Sequence, residues 1–268
     1  MEIEDKLNRL KRLIRGYKSA LVAFSGGQDS AFLLKMCSLV LPPEKLLAVT
    51  AVSATYPQGE LDKARSLAKQ IGCRLKVIRT EELRDKRFTE NSVSRCYFCK
   101  QELFSKLITL ARENKLNFVL EAGNISDKKD YRPGNIAKRK LKIESPLLRA
   151  GFTKNDIRRV SKKMGLSSWN KPSLACLASR VPYGTRITSG LLRRIDRGES
   201  YLRRLGFAQV RLRHHQELCR IEVDKSELRR LLGKRRMITG KLKDLGYNYV
   251  TVDLQGYRTG SLNEVIGR

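Results

Sequence analysis

A short apolar run, Ala20-Leu-Val-Ala-Phe24, passes without a break into Ser25-Gly26-Gly27-Gln28-Asp29-Ser30 and then into a second apolar stretch, AFLLKMCSLVL. The first run reads as a buried strand and the second as a helix. Strands joined to helices in this way build parallel, helix-covered sheets, because parallel neighbours need a crossover connection. The glycine pair lets backbone approach a ligand closely. The helix behind it turns free N–H groups and a positive dipole end toward an anion. Phosphate or pyrophosphate is the natural occupant, although a tight strand-to-helix turn would use the same glycines.

The rest of the chain continues the alternation. Leu7, Leu10, Leu13 and Ile14 are spaced for a helix, and apolar runs at Leu46–Val52, Leu75–Ile78 and Phe118–Leu120 are separated by helical stretches at Glu60–Ile71 and Lys100–Asn114. Residues 1–168 read as an open α/β domain. Residues 169–188, rich in Pro, Gly, Ser and Asn, read as a linker or functional loop. From 189 to 268 a helix at Ser189–Leu205, strands at Gln209–Arg213 and Leu218–Val223, a basic helix ending near Leu245 and a strand at Tyr249–Asp253 make a smaller α+β domain.

Composition narrows the setting. No run approaches the ~20 apolar residues of a membrane helix, and the N-terminus lacks the apolar centre of a signal peptide, which points to the cytoplasm. There 6 cysteines remain thiols rather than forming a disulfide scaffold. The 56 basic against 27 acidic residues leave a net charge of +29, which draws anions and admits nucleic acid, nucleotides or phosphorylated small molecules as partners. Solvated helix faces such as RRLLGKRRMITGKLK account for much of the same charge.

Cysteine spacing supplies the second chemical signal. Cys96 and Cys99, in SRCYFCK, lie at i and i+3 near a helix start, where they share one face and the helix N-terminus favours thiolate. A lone CxxC fits several roles. Zinc would need further ligands, and a redox pair lacks its usual context. Cys176, in the irregular loop, is close in sequence to Lys171 and Arg180, which could lower its pKa. Cys37, Cys73 and Cys219 read as small core residues. Three thiolates suit a [4Fe-4S] cluster with one iron left open. Arg211 and Arg213, two apart on a strand, share a face suited to gripping a phosphate, or else form an exposed basic strand face.

The string Ser25–Ser30 resembles the SGGxDS loop of the N-type ATP pyrophosphatases, and it lacks the GK[ST] ending of a Walker loop. That resemblance implies an open parallel sheet of the PP-loop type. It also implies that Ser25, Gly26, Gly27 and Ser30 cradle ATP phosphates, that Asp29 holds Mg2+, and that Val49–Ser53 lies beside the adenine.

Taken with that loop, RCYFCK, GNISDKKDYRPG, NKPSLACLASRVPYGTRIT, VRLRHH and YVTVDLQGYRTGSLN closely resemble the LarE family of sulfur transferases. The resemblance implies that ATP adenylates a pyridinium carboxylate mononucleotide, pyrophosphate leaves, and a sulfur nucleophile displaces AMP. In a single-cysteine branch the counterpart of Cys176 gives up its own sulfur. In a three-cysteine branch, matched here by Cys96, Cys99 and Cys176, a [4Fe-4S] cluster carries it. The family also implies that Arg211 and Arg213 clamp the substrate phosphate, that Ser179, Arg180, Asp127 and Glu199 lie near substrate or metal, and that sulfide or a sulfur donor is a partner. It further implies a homo-oligomer, trimeric or hexameric. Arg132 is a second candidate phosphate ligand, or a partner of Asp130. A tRNA thiolase is the competing reading, since some enzymes of that superfamily carry three-cysteine clusters, but the C-terminal strings favour the small nucleotide over nucleic acid.

Overall fold

A computed structural model describes residues 2–129, 133–172 and 175–266. It divides into two compact units. One comprises Met1–Ser53, Gly59–Glu82 and Ser94–Leu174; the other comprises Ala54–Gln58, Leu83–Val93 and Ala175–Arg268.

In the first unit the elements run α1 (Ile3–Tyr17), β1 (Ala20–Ala23), α2 (Gln28–Ser38), β2 (Leu46–Val52), α3 (Glu60–Ile71) and β3 (Leu75–Arg79). The short α4 (Lys86–Thr89) belongs to the second unit. The first then resumes with α5 (Arg95–Glu113), β4 (Phe118–Leu120), α6 (Gly134–Lys140), α7 (Pro146–Arg149) and α8 (Lys154–Lys163). The four strands form a fully parallel sheet in the order β3-β2-β1-β4.

Side chains alternate across a strand, and in β1 and β2 both faces are buried, which is why these two read as continuous apolar runs. Ala20, Val22, Leu46 and Ala48 join Leu10, Ile14, Phe32, Leu67 and Ile157 in one core. Leu21, Leu47 and Val49 join Phe104, Leu107 and Leu110 of α5 in another. Truncating a fully buried leucine such as Leu21 to alanine typically costs about 2–5 kcal/mol.

The second unit contains α9 (Ser189–Arg204), β5 (Val210–His215), β6 (Leu218–Val223), α10 (Leu228–Gly233), α11 (Arg235–Asp244) and β7 (Tyr249–Val252). β6 is central, antiparallel to β5 and parallel to β7. Gly198 lets α9 lie close, since a Cβ there would strike Leu212 of β5 and approach Leu242 of α11. Asn91 ties the 83–93 segment into this unit, donating from Nδ2 to the carbonyls of Pro182 at 2.6 Å and Thr185 at 2.9 Å. Among the described residues, no helix is long and apolar enough to cross a membrane.

Candidate active site

β1 ends on the phosphate loop. Phe24 N–H donates to Val49 O at 2.8 Å, and Thr50 Oγ1 donates to Phe24 O at 2.7 Å, so the chain leaves the sheet from a fixed point. Gly26 then adopts φ +70°, and a Cβ on it would lie 2.8 Å from the Cβ of Ala64. Both facts demand glycine. The Oγ atoms of Ser25 and Ser30 are 3.1 Å apart, Ser30 Oγ also donates to Gly27 O, and Gly27 N–H donates to Ser25 Oγ. The loop thus leads directly into the N-terminus of α2, with Asp29 in its first turn.

Residues beyond α8 close this loop. Lys171 Nζ donates to Gly26 O at 2.9 Å and pairs with Glu60 Oε2 at 2.8 Å, while Gln28 Nε2 donates to Trp169 O at 2.9 Å. Burial opposes ionisation of Glu60, but hydrogen bonds and ion pairs with Lys171 and Lys63 more than offset it and hold its pKa below the usual carboxylate value. The Lys171 ammonium thus serves the phosphate loop. A cavity of about 450 Å³ lies beside Gly26, lined in part by Lys63, Ser168, Asn170 and Lys171.

Asn124 is a further residue that the sequence reading missed. It is buried, donates from Nδ2 to Asp29 Oδ2 at 3.1 Å, and accepts from the Ser126 N–H at Oδ1. Its own N–H donates to Asp127 Oδ2 at 3.2 Å. Asp127 and Asp29 are therefore linked through one residue, by its backbone N–H and its side-chain amide. Arg132 and Asp130 lie outside the described residues.

None of the six cysteines is in a disulfide. Cys96 and Cys99 occupy the first turns of α5 and are partly exposed, while Cys176 is exposed and caps a 3-10 turn at Leu177–Arg180. Burial raises the thiol pKa of Cys37 and Cys73, and that of Cys219 to about 12. The thiol form is thereby favoured for all three, in keeping with core packing. Within the described residues of each unit, no group of three or more His, Cys, Asp or Glu side chains gathers as a metal site.

The arginines expected to face a ligand lie inside the second unit. Arg180 is fully buried and forks onto Glu199, Nε to Oε1 at 2.7 Å and Nη2 to Oε2 at 3.0 Å. Its Nη1 donates to the carbonyls of Ala175 and Cys176 and to Ser179 Oγ. Burial disfavours the Arg180 charge, but Glu199 more than offsets this and raises its pKa; Glu199 is reciprocally lowered, chiefly by Arg180 against the opposing effect of burial. Arg213 forks in the same way onto Glu222, at 2.8 and 2.9 Å, and donates to Ser179 O and Ser261 Oγ.

Arg211 and Arg213 do share a face of β5, but that face is covered rather than open. Buried guanidiniums need carboxylates, and Glu199 and Glu222 supply them from neighbouring elements. Arg211 lies with its guanidinium 5.1 Å from the ring centroid of Tyr257, and burial, then the Arg180 charge, push its pKa down to about 10.

The NAD synthase family profile matches residues 3–106. The chain is 35% identical over 264 residues, 98% of its length and 96% of the other protein, to pyridinium-3,5-bisthiocarboxylic acid mononucleotide synthase of Lactiplantibacillus plantarum. It is 38% identical over 98% of its length to an uncharacterised Synechocystis protein, covering 99% of that protein. A Methanocaldococcus jannaschii protein, also uncharacterised, is 27% identical over 94% of this chain and 95% of its own.

Proposed function

This chain belongs to the family of pyridinium-3,5-bisthiocarboxylic acid mononucleotide synthase, the LarE sulfur transferases, and on that footing we propose that it is an ATP-dependent sulfur transferase acting on a pyridinium carboxylate mononucleotide. The observation that carries the reading is the Ser25–Ser30 loop between β1 and α2, with Lys171 closing it from behind.

A substrate carboxylate oxygen attacks the α-phosphorus of ATP, and the bond to pyrophosphate breaks. The acyl adenylate then loses AMP to a sulfur nucleophile, leaving a thiocarboxylate. Ser25, Gly26, Gly27 and Ser30 cradle the phosphates through hydroxyls and backbone N–H groups. Asp29 and Asp127, linked by Asn124, supply hard oxygen donors that would hold Mg2+. Arg211 lies buried on β5 with its guanidinium over the ring of Tyr257. There it would receive the phosphate of the substrate mononucleotide.

Cys96, Cys99 and Cys176 are soft donors whose side chains are at least partly accessible, and together they would hold a [4Fe-4S] cluster, which when bound supplies transferable sulfur and makes the protein a true catalyst. Free sulfide or a donor protein replenishes it in a reducing cytoplasm, and the working form is a homo-oligomer. The exposure of Cys176 favours a second route, in which this cysteine gives up its own sulfur and each chain turns over once.

The test is ATP- and Mg2+-dependent pyrophosphate release that requires the mononucleotide, with the thiocarboxylate identified by mass. A protein that releases none, or that instead thiolates a tRNA base, overturns the reading. Iron and acid-labile sulfide in the anaerobically purified protein separate the two sulfur routes: about four irons per chain, lost in Cys96→Ala, supports the cluster.

A further inference from the structure

Cys176 is exposed, yet the backbone that carries it is held from several sides. Arg180 Nη1 reaches Ala175 O at 2.7 Å and Cys176 O at 2.9 Å. Ser179 Oγ accepts from the same Nη1 at 2.9 Å and donates to Cys176 O at 2.8 Å. Leu177 N–H donates to Thr55 O at 2.9 Å, and Arg213 Nη1 holds Ser179 O at 2.6 Å. Glu199, which seats Arg180, also accepts from the Leu212 N–H of β5 at 3.1 Å, so the turn is referenced to the sheet.

Buried ion pairs are a poor device for stability alone, because desolvation consumes much of the attraction and apolar packing of equal volume often does as well. What they supply here is orientation. The planar fork of Arg180 engages both oxygens of Glu199 and still leaves Nη1 for the turn. A lysine ammonium cannot meet that geometry.

We propose that Arg180, seated on Glu199, is a positioning residue that fixes the Cys176 turn so that its thiol is presented in a single place. The role in catalysis rests on the reading of Cys176 as a sulfur-delivering cysteine. Arg180 acts through the turn and does not contact the substrate.

The full chain is compared with Arg180→Lys and with Ser179→Ala, a small change that removes only hydroxyl bonds. Pyrophosphate release, the Michaelis constants and thiocarboxylate formed per pyrophosphate are measured, together with hydrogen exchange of the Leu177 and Ser179 amides. Pyrophosphate release and both Michaelis constants stay at the unmodified protein's values. Thiocarboxylate per pyrophosphate falls by about tenfold or more in Arg180→Lys, and by about threefold in Ser179→Ala, since small misplacements of a reacting group are expensive. Amide exchange in the turn quickens by about tenfold in both variants, and in Ser179→Ala it does so while the melting temperature holds.

A raised Michaelis constant for the mononucleotide with transfer intact makes Arg180 a substrate ligand and overturns the proposal. So does a parallel loss of pyrophosphate release and melting temperature, or unchanged transfer and exchange in both variants. If Arg180→Lys does not fold, Ser179→Ala decides alone. An unmodified protein that forms neither pyrophosphate nor thiocarboxylate sinks the functional reading instead, and the exchange comparison still decides whether Arg180 fixes the turn.

Discussion

Lys171 Nζ sits 2.9 Å from the carbonyl oxygen of Gly26 and 2.8 Å from Glu60 Oε2, joining the phosphate loop to the start of α3 through a side chain 145 residues further along the chain. Lys171→Met removes the donor and leaves Glu60, which is nearly fully buried, paired with Lys63 at 2.8 Å. The expected outcome is a rise of about tenfold or more in the Michaelis constant for ATP and a loss of about 1–3 kcal/mol of stability, read by pyrophosphate assay and denaturant melts.

Gly26→Ala tests the loop from its other side. The added methyl meets Ala64 at 2.8 Å in a backbone of φ +70°. The loop must move or α3 must yield, at about 1–3 kcal/mol, and ATP-dependent pyrophosphate release should fall below a tenth of its former rate.

Asn124→Ala should act through Asp29. With its Nδ2 gone the Asp29 carboxylate loses a donor at 3.1 Å. The Mg2+ concentration for half-maximal pyrophosphate release should rise by about tenfold, as outer partners of metal ligands commonly cost that much. A Mg2+ titration that superimposes on the unmodified protein's counts against this linkage.

Arg211 and Arg213 should separate cleanly on substitution by glutamine. Arg213→Gln strands part of the buried Glu222 carboxylate, and removing one partner of a buried pair costs about 3–5 kcal/mol. Arg211→Gln removes a guanidinium that burial already disfavours, so it should cost less stability than Arg213→Gln, while the Michaelis constant for the mononucleotide rises by about tenfold or more. Melting curves and substrate titrations of the two variants check the split.

His214 gives a pH signature. Burial, then the nearby Arg194 charge, lower its pKa from 6.5 to about 4. Between those values the unfolded chain binds the proton and the folded chain does not. Stability contributed by the neutral ring is therefore full above 6.5 and drains away as pH falls toward 4, by about 2–3 kcal/mol at most. His215 shifts in the same direction. His214→Phe should lose less melting temperature than the unmodified protein over that interval.

Much of the first unit was legible in the sequence. Leu46–Val52 and Glu60–Ile71 have the bounds that apolar runs and helical spacing suggested, because a strand buried on both faces and an amphipathic helix carry strong local patterns. The phosphate loop was equally plain from its position between strand and helix. What stayed hidden depends on contacts distant in sequence. The burial of Arg180 and Arg213 runs against the usual exposure of charged residues, and only Glu199 and Glu222, on other elements, make it possible. A signal did exist for Arg213, since VRLRHH and LCRIEV are joined by a turn short enough to pair them, with Glu222 opposite Arg211 and within diagonal reach of Arg213. Nothing local linked Asn124 to Asp29, or Asn91 to the turn at 182–185.

The division of the chain into interleaved segments also bears on how the protein is made. Residues 54–58 and 83–93 belong to the second unit, whose remaining strands and helices come only after residue 175. As synthesis proceeds, Asn91 is delivered long before the carbonyls of Pro182 and Thr185 exist to receive it, and the phosphate loop waits for Lys171. Neither unit can finish on the ribosome in simple N-to-C order. Most of the polypeptide must emerge before either closes, which makes nascent chains of intermediate length the form most in need of chaperones.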